Sequence, residues 1–347
     1  MGKTMKEISS SGAAIGIALL MALPAHAATP APNDALRVVA HIPGPDGGWD
    51  YASFDSARRR VYVAHGDRVL SLDVKTGKLN PDFASGDHLH AIVPVPGADV
   101  LVTTNSGDDS VRILRATDGE LIKSLHVASD ADGAAYDPAT RQVVVVNGDP
   151  GVLTLIDPLR RRVTATVQLH GKLEFVAVDG KGNAYVNVES TGEVAVVDLR
   201  RRVQSALYPM PGCQRPTGIA FVSHDRIVSA CGGGGVRILD AADGHVIASF
   251  KTGAFPDAVI YDPKRQLAMA PSAMDGKLNL IALSGPHDNE IVGRVDTQIG
   301  ARTGAVDPLT GRVYLPTAQY NLPVPPGQRP TIKPGTFQIL VLDRTSG

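Results

Sequence analysis

The sequence predicts an all-β fold, a ring of seven four-stranded sheets forming a seven-bladed β-propeller, and three observations predict it. A motif recurs seven times at a near-constant interval. Each unit holds four short β-rich runs. The two ends of the chain supply parts of a unit that only the other end completes. "GAAYDPATRQVVVV" from Gly133 and "GAVDPLTGRVYLP" from Gly304 show the likeness, although 171 residues separate them.

The third run of each unit is the ruler. "LSLD" ends at Asp73, "VRILR" at Arg115, "LTLID" at Asp157, "VAVVD" at Asp198, "VRILD" at Asp240, "LNLIA" at Ala282 and "ILVLD" at Asp343. The intervals are 42, 42, 41, 42, 42 and 61, so the last unit carries about 19 extra residues. Unit three spells its four strands as "GAAYD", "QVVVV", "VLTLID" and "VTATVQL". These runs are Val-rich, alternating or continuously apolar, and separated by Gly, Pro and Asp turns; none carries a 3.6-residue apolar stripe. Gly 36 and Pro 25 suit many short strands.

Ring closure is read from the ends. Only four residues follow Asp343, too few for a fourth strand in the last unit. "LRVVAHI" (Leu36 to Ile42) resembles the fourth strands elsewhere, so it should complete the last blade and cover an edge that would otherwise invite aggregation.

"VYVAHGDRVLSLDVKTGKL", "YVNVESTGEVAVVDL" and "GRVYLPTA" resemble the YVTN repeat of YncE-like periplasmic propellers. The likeness extends to "GGWDY" at Gly47 to Tyr51, "PTGIA" at Pro216 to Ala220 and "GARTGAVDP" at Gly300 to Pro308. It implies an exported propeller and suggests a binding role, since members of that family have diverse functions.

The first residues read as an export signal. Lys3 and Lys6 precede the apolar run "AAIGIALLMAL" (Ala13 to Leu23), and "AHA" at Ala25 to Ala27 offers small residues for cleavage. Eleven apolar residues are too few to span a bilayer, so residues 1–27 are expected to be a cleaved signal peptide rather than a transmembrane anchor. Residues 28–347 then form a single propeller domain in the periplasm or outside the cell. Loss of Lys3, Lys6 and Glu7 takes the net charge from −1 to near −2, so no global basic excess points to nucleic acid.

The innermost strand of each blade lines the channel, and the residue that opens it sits at one mouth. Counting back five places from the Asp-Pro position gives Asp50, Asp132, Glu174, Asp257 and Arg302; the apolar register adds His90 and Thr217. Such a ring is a candidate ligand site. Asp50, His90, Asp132, Glu174 and Asp257 offer the oxygen-plus-imidazole donors that a divalent cation such as Ca²⁺, Mg²⁺, Mn²⁺ or Zn²⁺ accepts. A small polar ligand is the alternative, with Arg302 clamping a carboxylate or phosphate. A water-filled polar channel is the plain reading.

The loop after each second strand returns to the same mouth. It brings His65, Asp67, Asn105, Asn147 and Glu189, with Trp49 (the only Trp) and His88 just outside the ring. Trp49 is either a ligand platform or packed under a loop. The Pro-rich insertion Ala318 to Thr336, with Tyr320 and Arg329, reads as a lid, a partner-docking surface or a decoration. Cys213 and Cys231 flank the first two strands of blade five, so a disulfide, a Cys/His metal site or two free thiols are open to them.

On the far side, Arg58 to Arg60, Arg160 to Arg162, Arg200 to Arg202, Lys181, Lys264, Arg265 and Arg312 form a basic face that could meet nucleic acid. There is no G-x-S-x-G elbow, H-E-x-x-H, Walker A loop or C-x-x-C-H. The expected function is a binding or scaffold propeller contacting a partner protein or small polar ligand. The rival is a metal-dependent hydrolase of lactones or esters, resembling propeller lactonases, with the mouth carboxylates as ligands or base and His90 as proton carrier.

Overall fold

Neighbouring residues of one strand pack against different blades, which explains the continuous apolar runs. In "QVVVV", Val143 and Val145 join the core between blades two and three, whereas Val144 and Val146 join the core between blades three and four. Side chains alternate across a strand, so a sheet buried on both faces needs apolar residues at every position. The structure, a computed structural model, describes residues 1–2, 36–321 and 330–344. The signal-peptide reading and Arg329 lie outside the described residues.

Seven four-stranded antiparallel sheets result, six built from consecutive strands. Blade three has strands Ala131–Asp137, Gln142–Asn147, Val152–Asp157 and Arg162–Gln168. The seventh sheet is composite. Ala305–Val306, Val313–Thr317 and Gln338–Arg344 come from the C-terminal unit, and Leu36–Pro43 pairs with Gln338–Arg344 as the outer strand. The N-terminal strand thus completes the last blade, as the sequence predicts.

Seven apolar clusters fill the seven blade interfaces. Val61, Leu70, Tyr314 and Ile339 belong to the one that joins blade one to blade seven. Each blade buries its faces only against its neighbours, so an open ring would leave two apolar faces in water.

The repeated Asp caps a turn. Asp55 Oδ1 accepts the N–H groups of Ala57 (2.9 Å) and Arg58 (3.0 Å), and Arg58 Nη1 donates to Asp55 Oδ2 at 3.0 Å. Asp262 and Arg265 repeat the arrangement, as do Asp157 and Arg160. A short side chain that hydrogen-bonds two residues onward favours a turn over further strand.

These turns also use up much of the basic face. Arg58 pairs with Asp99 of blade two at 2.7 Å, Lys181 with Asp225 of blade five at 2.7 Å, and Arg312 with Asp343 at 2.6 Å. Arg59 grips the buried Asp307 of blade seven through both carboxylate oxygens, Nη1 to Oδ1 at 2.5 Å. Arg200 donates to the carbonyl of Lys181, and Arg265 to that of Thr310. Most cations of the basic face thus join blades or close turns.

Candidate functional site at the channel mouth

Backbone links around the ring bring the seven predicted positions together. Tyr51 N–H donates to the carbonyl of His90 (3.1 Å), and the Thr104 hydroxyl to that of Asp132 (2.6 Å). The Asn187 amide donates to Thr217 O (2.6 Å), Asp257 N–H to Arg302 O (3.3 Å), and the Thr303 hydroxyl to Asp50 O (2.7 Å). Each bond runs from one blade to the next. The Thr217 hydroxyl serves the same purpose, donating to the carbonyl of Pro256, so Thr217 is a strut rather than a ligand-binding group.

Asp50, His90 and Asp132 form the tightest group. His90 Nδ1 lies 2.6 Å from Asp50 Oδ2 and 3.5 Å from Asp132 Oδ1, with all three side chains 15–19% exposed. On the other side of the imidazole, Nε2 lies 2.8 Å from Ser106 Oγ, which in turn lies 2.7 Å from His88 Nδ1. His88 is exposed, so its expected place beside the ring fits, but its partner Ser106 gave no signal in the sequence.

Three of the five expected metal donors cluster. Only Asp50, His90 and Asp132 place ligand atoms within 4.8 Å of one another. Asp257 is held instead by Arg302, Nε to Oδ2 at 3.0 Å, and Glu174 lies outside the trio. The 2.6 Å Asp50–His90 contact is a hydrogen bond that a metal would have to displace. A second group, Asp240, Asp243 and His245, sits on an outer turn, where Asp243 Oδ1 already accepts the His245 N–H.

Arg302 is also not the expected anion clamp. Besides Asp257 it donates through Nη2 to the Trp49 carbonyl at 2.5 Å, and its guanidinium lies over the Trp49 ring, 5.5 Å from the centroid. Asp257 and Asp50 stabilise its charge and outweigh the opposing effect of burial.

Trp49 and His65 are both buried, Trp49 in the packed alternative. Trp49 is 4% exposed, stacked at 6.3 Å on Tyr320 and tilted at 5.6 Å against Phe337. His65 is 2% exposed, edge-on to Phe337 at 4.5 Å, and burial pushes its pKa down. Gly47 (φ +149°) passes so close over this imidazole that a Cβ would lie 2.5 Å from His65 Cε1, which accounts for the glycine in "GGWDY". The described part of the insertion packs here too: Tyr320 bridges to Ile332, and Gly335 N–H donates to Asp46. Tyr320 thus supports the wall of the mouth.

The cysteines are settled by geometry. Cys213 and Cys231 form a disulfide with Cα atoms 5.2 Å apart, which removes the Cys/His metal site and the free thiols.

One layer below the ring two aromatic side chains meet in the channel. Tyr51 and Phe175 follow Asp50 and Glu174, and their rings meet at 4.2 Å. Blades one and four lie across the ring from each other, so this contact spans the axis. The equivalent residues of the other blades are small: Ala91, Gly133, Gly218, Ala258 and Thr303. A Cβ on Gly133 would lie 2.4 Å from Phe175 Cδ2. The mouth is a cup with an aromatic floor.

Electrostatics inside the cup favour protonated carboxyls. Burial pushes Asp132 well above the carboxylate range, reinforced by Asp50 and Glu174. Burial raises Glu174 to about 8, with Asp257, Glu189 and Asp50 adding to it. Asp257 rises to about 6 through burial, although Arg302 opposes the shift. Tyr51 is 7% exposed, is raised by burial and then by all four carboxylates, and its hydroxyl has no hydrogen-bond partner among the described residues.

No protein-family model matches the chain, and no curated protein matches it in sequence. Solved structures match it in shape. "Structure of U3-55K" superposes with TM-score 0.75 at 11% identity, covering 91% of this chain and 100% of that one. "Crystal structure of RRP9 WD40 repeats" gives 0.74 at 12% identity, covering 90% and 98%. "Kuenenia stuttgartiensis Hydrazine Synthase" gives 0.69 at 15% identity, covering 79% and 92%. At such identities the likeness establishes the fold and nothing finer: this chain is a seven-bladed β-propeller of the shape shared with WD40 repeat proteins.

Proposed function

We propose that the chain is an exported propeller of the YncE-like YVTN type that acts as a binding and scaffold protein, its acidic cup receiving a small polar ligand that carries positive charge. One observation carries this reading. Four carboxyl groups crowd around the Tyr51 phenol, which with Phe175 forms an aromatic floor, and three of them have raised pKa values. A cation entering the cup removes the repulsion that raises those values, and the rings below it add cation–π attraction. The tethered Arg302 argues against an anionic ligand. Export is supported by the buried disulfide, which suits an oxidising compartment, together with the leader-like first residues. The mouth loops are the surface offered to a partner protein.

Titration calorimetry with alkylammonium, diammonium and guanidinium ions, and separately with Ca²⁺, Mg²⁺, Mn²⁺ and Zn²⁺, tests the proposal. An organic cation should bind, and Asp132→Ala and Asp257→Ala should each weaken it at least about tenfold, consistent with loss of a desolvated charge pair. Affinity should rise between pH 6 and 8 as Asp257 (about 6) and Glu174 (about 8) become easier to ionise. Binding of a divalent ion alone would replace the organic ligand with a metal. Preference for anions would refute the reading.

A further inference from the structure

Ser106, His90 and Asp50 stand in the order and at the spacing of a nucleophile, a general base and an orienting acid. The imidazole is hydrogen-bonded at both nitrogens: Nδ1 to Asp50 Oδ2 at 2.6 Å and Nε2 to Ser106 Oγ at 2.8 Å. A carboxylate facing Nδ1 keeps the proton on that nitrogen, leaving Nε2 as the acceptor of the serine O–H. Ser106 Oγ then has lone pairs free, one of them facing His88 Nδ1 at 2.7 Å, and the His88 carbonyl at 3.4 Å is the more distant acceptor for its proton.

This arrangement arises where blade two departs from the repeat. The residue after the second strand is glycine or alanine in five of the other blades and Glu189 in the fourth, so only blade two places a hydroxyl there. Blade two is also the one whose ring position is a histidine. Two departures in one unit, 16 residues apart, meet in a single hydrogen bond. Ser106 is half-buried at the rim, open to an incoming molecule, while the base and acid reach down into the cup.

We propose that Ser106 is an acyl-accepting nucleophile activated by His90 and Asp50, and that its substrates are small carboxylic esters bearing a positive charge. Oγ attacks the ester carbonyl carbon as its proton passes to His90 Nε2. The imidazolium, held at Nδ1–H by Asp50, returns that proton to the leaving alcohol oxygen as the C–O bond breaks. Water, deprotonated by His90, then cleaves the acyl-serine to release the carboxylic acid and restore the hydroxyl. The Ser106 and Gly107 N–H groups already donate to the carbonyls of His88 and Asp87. No backbone N–H of this turn is thus left to meet the developing oxyanion, and turnover should be slow beside that of enzymes with a backbone oxyanion hole. The preference for a cationic ester rests on the cup reading above; the nucleophile itself does not.

A neutral fluorophosphonate probe on the full chain at pH 8, followed by peptide mass spectrometry, tests the nucleophile. Ser106 should carry the phosphonyl adduct, Ser106→Ala should abolish it, and His90→Gln should slow it about 100-fold or more with the circular dichroism spectrum and melting temperature retained. No adduct on Ser106, or a rate unchanged in His90→Gln, would overturn the proposal. Hydrolysis of a choline ester over its uncharged isostere, by about tenfold or more, supports the substrate class. Equal rates with labelling intact would overturn the cationic preference alone, and cation binding measured without labelling would leave the cup reading standing while refuting the nucleophile.

Discussion

The two faces of the ring use the same residue type to opposite ends. On the far face, aspartates accept backbone N–H groups and pair with arginines, and Asp307 is held down to about 2 by such hydrogen bonds despite its burial. At the mouth, carboxyls gather with few donors, and burial and mutual repulsion raise them, Glu174 to about 8. One face ties blades together at low energetic cost; the other holds charge the fold does not need. The contrast teaches that a buried carboxyl serves stability where hydrogen bonds and a cation outweigh its burial, and is free for binding where burial and like charges add up.

A single substitution should break that contrast at Arg59. Arg59→Met strands the fully buried Asp307 without its cation across the blade one–blade seven seam, and urea unfolding should show a loss of about 3 kcal/mol. A loss below about 1 kcal/mol would mean that the apolar seam alone closes the ring.

The pH dependence should be of opposite sign at the two faces. Asp307 has a folded pKa of about 2 against an ordinary 3.8, so its contribution is complete above 3.8 and disappears as pH falls through about 2. Glu174 has a folded pKa of about 8 against 4.5, so it retains its proton in the fold where the unfolded chain has lost it. Stability should therefore decline as pH rises from 4.5 to 8, by at most about 1.4 kcal/mol per pH unit, and Glu174→Gln should flatten that decline. Melting curves across this window, wild type against variant, give the comparison.

The ring itself was legible because periodicity is a property of the whole chain. Seven repeats fixed the blades, and the spare strand at Leu36–Pro43 fixed the closure. The ring positions followed by counting from a capping aspartate. Burial was not legible in the same way. The sequence left Trp49 open between a ligand platform and a packed ring and put His65 at the mouth, and what covers both is Phe337, nearly the whole chain away. The floor had a signal that counting one place further would have found: two aromatics, Tyr51 and Phe175, among five small residues at equivalent positions. Ser106 had none, since a lone serine after a strand is ordinary until the imidazole of His90 is seen beside it.

Carbon-detected NMR of ¹³C-labelled glutamate, assigned through Glu174→Gln, tests the poised state of the cup most directly. Glu174 should titrate near 8 in the free protein, and a saturating organic cation should pull its midpoint down by at least one pH unit. A midpoint near the ordinary 4.5 that does not move when cations are added would contradict the acidic cup as a binding site.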